Sequence, residues 1–529
     1  METNGLDVPE AMSAAQEVPL RRMDSLESDR VVFPHDDGSR VPYKVFSSQA
    51  VYDREQERIY RGPTWNFVAL EAEILKPGDF KSTFVGDTPV VVTRNDDGTL
   101  AAWVNRCAHR GASVCRKSRG NASSHTCVYH QWSFDKSGNL LGVPFRRGQK
   151  GMTGMPADFD PKNHSLRKLR VESYRGLVFA SFSDTVEPLS DYLGVQMRPW
   201  IDRIFHKPIE YLGCTRQFSK SNWKLYFENV KDPYHGSMLH LFHTTFNIFR
   251  VGMKARSIPD ATHGLHSIIT VTKTGEDTSA AYKQQNIRSF DEGFALEDDS
   301  VLGLISEFDE DTTNHIQPIF PQLVIQQIHN TLVARQLLPK GPNSFELIFH
   351  FFGYVDDTPE MRALRIKQAN LVGPAGYISM EDTEATELVQ RGTVRDSDAT
   401  SVIEMSRGNP DQQDTVITES LIRKFWVGYQ KLMGYRSMEK SRITDEMTLW
   451  FELHVLQDRY INTLDNDRLE IWPTLFTEDC LYEIVPKENA DMGLPIGIIF
   501  CDNQKMLRDR VVSLRNANIF EEHSYRHMT

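Results

Sequence analysis

The chain has 529 residues, of which 40% are hydrophobic and 25% charged, which is enough for roughly three folded domains. Its 72 acidic and 60 basic residues give a net charge of −12, which disfavours nucleic acid as the main partner. No apolar stretch reaches the roughly 18 residues of a membrane span, and the N-terminus has no secretion or transit signal. We therefore expect a cytoplasmic protein.

The first part of the chain is predicted to be rich in β-structure. Residues 1–40 are polar and are expected to form an irregular leader. Short apolar runs separated by turn residues follow, and Asp97-Gly98 between two of them is typical of a hairpin. We predict an all-β domain over residues 41–185, with a helical lead-in at its start.

A second domain is predicted over residues 186–437. It begins with helical spacing and continues with long strand-like runs, among them LHSIITVTK, QLVIQQIHNTLVARQLLP and FELIFHFFGYV. Helical patterns over residues 358–392 and 416–434 follow. This order predicts an α+β domain in which helices cover an antiparallel sheet.

A third segment is predicted over residues 438–529. It contains the strand-like runs LYEIV and IGIIF and a helical run from Asn503. Two strands make too small a sheet to stand alone, so we expect an incomplete unit with exposed apolar surface. Its first helix carries Leu449, Trp450, Leu453, Leu456 and Tyr460.

Two pairs of Cys and His lie in the first domain. Cys107-x-His109 is followed, after 17 residues, by Cys127-x-x-His130. Two such pairs on separate loops can supply four metal ligands, and zinc is one candidate. The alternation of Cys and His instead suits a [2Fe-2S] cluster, with two thiolates on one iron and two imidazoles on the other. The ligand types favour the iron–sulfur cluster and leave zinc open.

A second group of candidate ligands lies in the segment SNWKLYFENVKDPYHGSMLHLFHTTF. Two histidines and a carboxylate form the facial triad of iron(II) sites that activate oxygen, and a packed aromatic cluster is the alternative. His235 and His240 are five residues apart, about 140° around an ideal helix, so they share a metal only where a helix begins or is distorted. Asp232 as N-cap and Pro233 at the first helical position would begin a helix there.

A third ligand would have to come from elsewhere in the chain. The segment GPAGYISMEDTEATELVQRG offers four acids, and a solvated acidic helix face is the alternative. Spacing alone does not choose among Glu381, Asp382, Glu384 and Glu387.

Arg335 is the residue that bears on the substrate. In the strand TLVARQLLP it shares a face with Val333 and Leu337, so its cation would lie among apolar side chains. A buried arginine needs an anion, and either an internal carboxylate, the commoner partner, or a substrate carboxylate would serve.

Together these motifs resemble the large subunits of Rieske aromatic-ring-hydroxylating oxygenases. The resemblance rests on C-x-H-x17-C-x2-H and on N-W-K-x3-E-N-x2-D-x-Y-H-x4-H. It implies an α+β protein with an all-β Rieske domain and a helix-grip-like catalytic domain. It also implies that a [2Fe-2S] cluster binds Cys107, Cys127, His109 and His130, and that a mononuclear Fe(II) binds His235, His240 and Asp382.

The resemblance also implies partners. Asp232 would bridge His235 and the Rieske histidine of a neighbouring subunit, which requires an oligomer, and threefold symmetry is the usual arrangement in the family that the chain resembles. Electrons would come from NADH through a flavin reductase, directly or by way of a ferredoxin.

The substrate class follows from a narrower resemblance. The runs LEAEILKPGDF, RQLLPK and QANLVGPAG are most similar to large subunits of the anthranilate, salicylate and terephthalate oxygenases, which would make Arg335 a carboxylate-binding residue. Dioxygenation of anthranilate to catechol is the first expectation, and salicylate hydroxylation and terephthalate dioxygenation are the alternatives. A Rieske electron carrier or an inactive assembly protein is the non-enzyme alternative, although a carrier needs no second metal site.

The third segment has a resemblance of its own. LEIWPTLFTEDCLYEIVP and LRDRVVSLRNANIFEEHSYRH resemble the first half of the small subunit of the same oxygenases. The resemblance implies a partial, cone-shaped α+β segment. Its presence in this chain would reflect either a fusion of the two subunit genes with truncation or an artefact of sequence assembly. The resemblance also implies an assembly of three large and three small subunits. His523 and His527 are expected to have a structural role.

Overall fold

The computed structural model describes residues 31–150, 153–273, 278–308, 311–396, 399–409, 412–435 and 445–516. Most of the predicted leader, the predicted boundary at residue 438, and His523 and His527 lie outside these residues. The chain divides into two compact units, residues 1–440 and 441–529. Among the described residues, no helix has both the length and the apolar character needed to cross a membrane.

The first β-rich region is a sheet of seven antiparallel strands in the order β2-β11-β10-β5-β4-β3-β6, beside a small sheet of β7, β8 and β9. The predicted hairpin is confirmed, because β4 pairs with β5 and Gly98 in the turn has φ +81°. The strands are β1 (Arg40–Pro42), β2 (Asn66–Leu70), β3 (Asp79–Val85), β4 (Thr88–Arg94), β5 (Leu100–Val104), β6 (Arg119–Asn121), β7 (His125–Thr126), β8 (Ser133–Phe134), β9 (Leu140–Gly142), β10 (Lys168–Tyr174) and β11 (Leu177–Ser181).

The second region has a seven-stranded antiparallel sheet in the order β12-β18-β17-β16-β15-β14-β13. Its central strands are buried along their length, which explains their nearly continuous apolar sequences. A short additional strand, β19, pairs with β1. The strands are β12 (Ile209–Ser219), β13 (Lys254–Pro259), β14 (Ser267–Thr272), β15 (Thr312–Ile319), β16 (Leu323–Ile328), β17 (Thr331–Gly341), β18 (Ser344–Tyr354) and β19 (Thr400–Val402).

Helices pack around both sheets. The predicted helical region 358–392 is in fact two helices, because Gly373, with φ +107°, and Pro374 interrupt it. The helices are α1 (Gln49–Glu55, continued by a π-helical turn Gln56–Tyr60), α2 (Leu189–Leu193), α3 (Arg198–Ile204), α4 (Trp223–Asn229), α5 (Pro233–Gly236), α6 (Leu241–Thr245), α7 (Ala280–Gln284), α8 (Pro359–Gln368), α9 (Ser379–Thr393) and α10 (Ser420–Met433).

One continuous apolar core joins the first sheet to the second, with Val68 and Val178 from one side and Val333 and Phe349 from the other. A buried ion pair also fixes α1 to the start of α4: Glu55 accepts from Trp223 Nε1 at 2.9 Å and lies 2.6 Å from Lys224 Nζ. These contacts hold α4, and the segment that follows it, against both sheets.

The second unit is small. Its described elements are α11 (Asp445–Asp465), β20 (Tyr482–Ile484), α12 (Lys487–Asp491), β21 (Ile499–Cys501) and α13 (Gln504–Asn516), and β20 and β21 form a two-stranded sheet. As expected, apolar side chains are exposed: Trp450 is 61% and Ile498 69% exposed. A surface of this kind is typical of a subunit interface.

Candidate metal centres

The four predicted cluster ligands lie on two similar loops. In each loop the residue four positions after the cysteine donates its N–H to the cysteine carbonyl, Gly111 to Cys107 and Gln131 to Cys127, both at 3.0 Å. Both of these residues have positive φ, 79° and 57°, which turns the chain back sharply after each ligand pair. The local sequence therefore shapes both loops in the same way.

The donors of these loops divide by burial. Cys107 and Cys127 are 4% and 1% exposed, and burial, together with the adjacent Cys127 thiol, raises the pKa of Cys107. His109 is exposed and His130 is partly exposed, their ring centroids are 4.5 Å apart, and His109 stacks on Trp132. Two buried sulfur donors and two outer imidazoles fit a [2Fe-2S] cluster with mixed ligands.

His235, His240 and Asp382 come together at the other candidate centre. The Oδ1 atom of Asp382 lies 3.3 Å from His235 Nε2 and 3.2 Å from His240 Nε2. One ligand atom from each residue lies within 4.8 Å of those from the other two. Two imidazoles and one carboxylate converging in this way fit a mononuclear iron(II) site.

The helix geometry predicted for this segment is confirmed. Asp232 Oδ1 accepts from the backbone N–H groups of Tyr234, at 2.9 Å, and His235, at 3.3 Å, so Asp232 caps α5 with Pro233 at its first position. The helix ends at Gly236, and His240 precedes α6. This break allows two histidines five residues apart to face one point.

The charges at this centre are strongly coupled. Burial opposes protonation of His235, but Asp232 and Asp382 outweigh it and raise its pKa to about 10. Burial alone would raise the pKa of Asp382, yet His240 and His235 hold it well below its usual range. A buried carboxylate that faces two imidazoles has the electrostatic character of a cation site.

The four acids of α9 have different positions. Asp382 faces the histidines, and Glu381 Oε2 lies 2.7 Å from His240 Nδ1, where it fixes the orientation of that ring. Glu387 accepts from the backbone N–H of Lys220 at 2.8 Å, and Glu384 is exposed. The structure thus separates acids that spacing could not.

Asp232 occupies the position expected of a link to His235. Its Oδ2 atom lies 3.4 Å from His235 Nδ1, within ion-pair distance but without hydrogen-bond geometry. Its side chain is 19% exposed, so it remains accessible from the surface.

Arg335 lines the cavity next to the three predicted iron ligands. It is 3% exposed, and its guanidinium donates to Tyr226 Oη, at 2.5 Å, and to Gln326 Oε1. No described carboxylate forms an ion pair with it. The cavity has about 30 Å³ of free volume, little more than a water molecule needs, so an aromatic ring can enter only if lining side chains move.

Two further residues near this centre, Asn229 and His243, have roles that the sequence did not predict. Asn229 Nδ2 lies 3.1 Å from both His235 Nε2 and Asp382 Oδ1 and so braces the pair. His243 lines the same cavity, and burial lowers its pKa well below the usual value. Both residues lie within the segment that carries the predicted iron ligands, but their position in the sequence does not indicate which way their side chains point.

A further triad of possible ligands, Asp260, His263 and His266, is occupied by structural contacts. Asp260 accepts from three backbone N–H groups. His266 Nε2 lies 2.9 Å from the Tyr192 carbonyl, and its Nδ1 accepts from Phe320 N–H at 3.0 Å. Since both of its ring nitrogens are used, this triad is a structural network.

Comparisons with known proteins match two families along the chain. Residues 64–156 match the family described as the Rieske [2Fe-2S] domain, and residues 206–435 match the ring hydroxylating alpha subunit (catalytic domain). The chain belongs to the Rieske ring-hydroxylating oxygenase alpha subunits, a family of oxidoreductases whose two domains hold a [2Fe-2S] cluster and a mononuclear iron.

Individual relatives narrow this class. The chain is 89% identical over 409 residues to the large subunit of anthranilate 1,2-dioxygenase from Burkholderia cepacia, covering 77% of this chain and 97% of that protein. Naphthalene 1,2-dioxygenase from Rhodococcus sp. has the same fold, with a TM-score of 0.62 at 23% identity over 78% of this chain and 98% of that one. The predicted fold class and family are therefore confirmed.

A separate match concerns the other subunit type. Over 89 residues, 17% of this chain, the sequence is 72% identical to the small subunit of anthranilate 1,2-dioxygenase from Burkholderia cepacia, and the match spans 55% of that subunit. The chain thus carries sequence of both subunit types, as the resemblance implied. It is related to oxygenases assembled from large and small subunits.

Proposed function

We propose that the chain is the terminal oxygenase component of a dioxygenase that converts anthranilate to catechol, with loss of carbon dioxide and ammonia. The 89% identity to the large subunit of an anthranilate 1,2-dioxygenase supports this substrate. The observation that carries the proposal is Arg335, a cation that is 3% exposed beside the predicted iron ligands. A buried cation at that position suits an acid substrate.

The contacts of Arg335 explain how it would recognise an acid. Tyr226 and Gln326 are neutral, so they do not balance the charge of the guanidinium. Asp382 lines the same cavity but is already paired with His235 and His240. A substrate carboxylate could displace Gln326 and form the charge-assisted pair that the described residues do not supply.

We assign the predicted ligands to their two groups, with Cys107, Cys127, His109 and His130 at the cluster and His235, His240 and Asp382 at the iron. When bound, the cluster supplies single electrons and the iron activates dioxygen. The chain itself orients these ligands: Glu381 fixes the ring of His240, and Asp232 holds that of His235. Arg335 anchors the substrate.

Assembly and electron donors belong to the same proposal. Asp232 is partly exposed and can accept a hydrogen bond from a Rieske histidine of a neighbouring subunit, which favours a trimer of large subunits with three small subunits. A flavin reductase using NADH, with or without a ferredoxin, would dock in the cytoplasm near the exposed His109. The exposed Arg106, Arg116 and Lys117 nearby favour an acidic donor.

Product analysis tests the proposal. The purified oxygenase with its reductase and NADH is given anthranilate, salicylate or terephthalate under air. We expect catechol, carbon dioxide and ammonia from anthranilate. Faster turnover of salicylate or terephthalate would reassign the substrate to that acid. Oxidation of NADH without any product from the three acids would favour the interpretation as an electron carrier.

A further inference from the structure

His243 forms part of the wall of the substrate cavity. It lies on α6, is 5% exposed, and lines the same cavity as Arg335 and Asp382. Its ring stacks on Phe249 with centroids 5.8 Å apart and meets the edge of His240 at 4.9 Å. The ring is therefore held in place by packing.

Neither ring nitrogen of His243 has a hydrogen-bond partner among the described residues. A neutral imidazole carries one N–H donor and one acceptor nitrogen, so an acceptor is left without a partner whichever nitrogen carries the proton. The backbone of Gly236 lies near the ring but does not meet hydrogen-bond geometry. Even if the Gly236 carbonyl took the N–H, the other nitrogen would remain a buried acceptor.

The unpaired nitrogen is not explained by the predicted iron ligands. The compact group of ligand atoms contains His235, His240 and Asp382, and His243 is outside it. Buried polar atoms are costly when unpaired, and in native proteins they are rarely left so. The acceptor nitrogen of His243 lacks a hydrogen-bond donor, and the cavity that the residue lines is where a bound molecule could supply one.

We propose that His243 accepts a hydrogen bond from an N–H or O–H group on the ring of the bound aromatic acid. This contact, with Arg335 at the carboxylate, selects amino- and hydroxy-substituted acids over acids without a ring donor. The inference rests on the proposed function and narrows its substrate class. Anthranilate supplies the donor through its amino group.

A pair of isosteric acids tests this contact. Anthranilate and 2-methylbenzoate have similar shapes, but only anthranilate has ring N–H donors. Binding of each is measured by calorimetry on the iron-loaded enzyme with its cluster oxidised and no reductant, so that no turnover occurs. We expect the unaltered enzyme to bind anthranilate roughly three- to tenfold more tightly, the effect of one net hydrogen bond.

Variants separate the hydrogen bond from the packing. His243→Phe keeps the ring against Phe249 but removes the acceptor, so the preference for anthranilate should disappear while 2-methylbenzoate binding is unchanged. His243→Asn restores an acceptor and should recover part of the preference. Ile269→Val changes another side chain of the same cavity without removing a polar group or the stacking partner of His243, and should leave the preference as it was.

Contrary results are distinguishable. Equal affinity of the unaltered enzyme for the two acids, or equal weakening of both by His243→Phe, would overturn the inference while catechol formation from anthranilate still supported the proposed function. The first comparison needs no variant. If the unaltered enzyme gave no product from anthranilate, the proposed function would fail, and this inference with it.

Discussion

The two candidate metal centres differ in how their ligands are distributed along the chain. The Rieske loops bring together residues 107 to 130, and each loop is shaped by its own backbone turns. The predicted iron centre joins His235 and His240, on either side of a helix break, to Asp382 on α9, and α9 is fixed to the turn before α4 by contacts such as that of Glu387 with the Lys220 N–H. The first centre therefore depends on local sequence and the second on tertiary packing.

The comparison also extends to burial. Of the predicted cluster histidines, His109 is exposed and His130 partly exposed, whereas His240 is 2% exposed and Asp382 6%. In a buried centre each removed partner leaves an uncompensated group behind. Substitutions around the iron site should therefore be felt more sharply than substitutions around the loops.

The largest effect is expected from removing one ligand of each centre in turn. Asp382→Ala should abolish binding of the mononuclear iron, and with it activity, but leave the cluster intact. Cys107→Ser should abolish the cluster but leave the mononuclear iron bound. Metal analysis and the visible spectrum of the cluster measure both. Glu384→Ala on the same helix and Cys115→Ser beside the first loop are the matched controls. If Asp382→Ala retained its iron, the assignment of this acid would be wrong.

Asp232→Asn tests the link that would join the centres of neighbouring subunits. Asparagine still caps α5 but has no charge to hold His235, so turnover should fall on the order of 100-fold with both metals retained. The loss of turnover is measured in a single-turnover experiment, in which the cluster is first reduced and the product is then assayed. Unchanged turnover would show that the Asp232 carboxylate only caps α5 and has no role in electron transfer.

Arg335→Met removes the proposed carboxylate anchor and keeps the bulk of the side chain. The KM for anthranilate should rise roughly 10- to 100-fold, the cost of losing hydrogen bonds to a charged group, with a smaller change in kcat. Arg216→Met, at an exposed arginine paired with Glu346 on the same sheet, is the control. An unaltered KM would contradict the carboxylate anchor.

The smallest effect is expected at Glu381, which orients His240 without facing the iron position. Glu381→Gln keeps an acceptor at His240 Nδ1 but loses the charge, so iron affinity should fall about tenfold. Titration of the metal-free protein with iron(II) under anaerobic conditions measures it. Equal affinity of Glu381→Gln and Glu384→Gln would show that the contact with His240 has no influence on the metal.

The same contrast explains what could be predicted from the sequence. The predicted cluster ligands could be found from the sequence, because the short spacing within each Cys–His pair places both residues in one turn. The pairs are Cys107 with His109 and Cys127 with His130. Asp382 could be chosen only through a family resemblance, because its place depends on how α9 packs. Glu381 and His243 lie inside recognised segments, but no periodicity indicates that one contacts His240 and the other lacks a partner.

Quantitative metal and sulfide analysis of the purified chain, with EPR before and after reduction, tests the central claim most directly. We predict about three iron atoms and two sulfides per chain and a rhombic cluster signal on reduction, one iron being removable from His235, His240 and Asp382 without loss of that signal. A colourless protein, or one that binds a single zinc at the Cys and His loops, would contradict the presence of two cooperating iron centres.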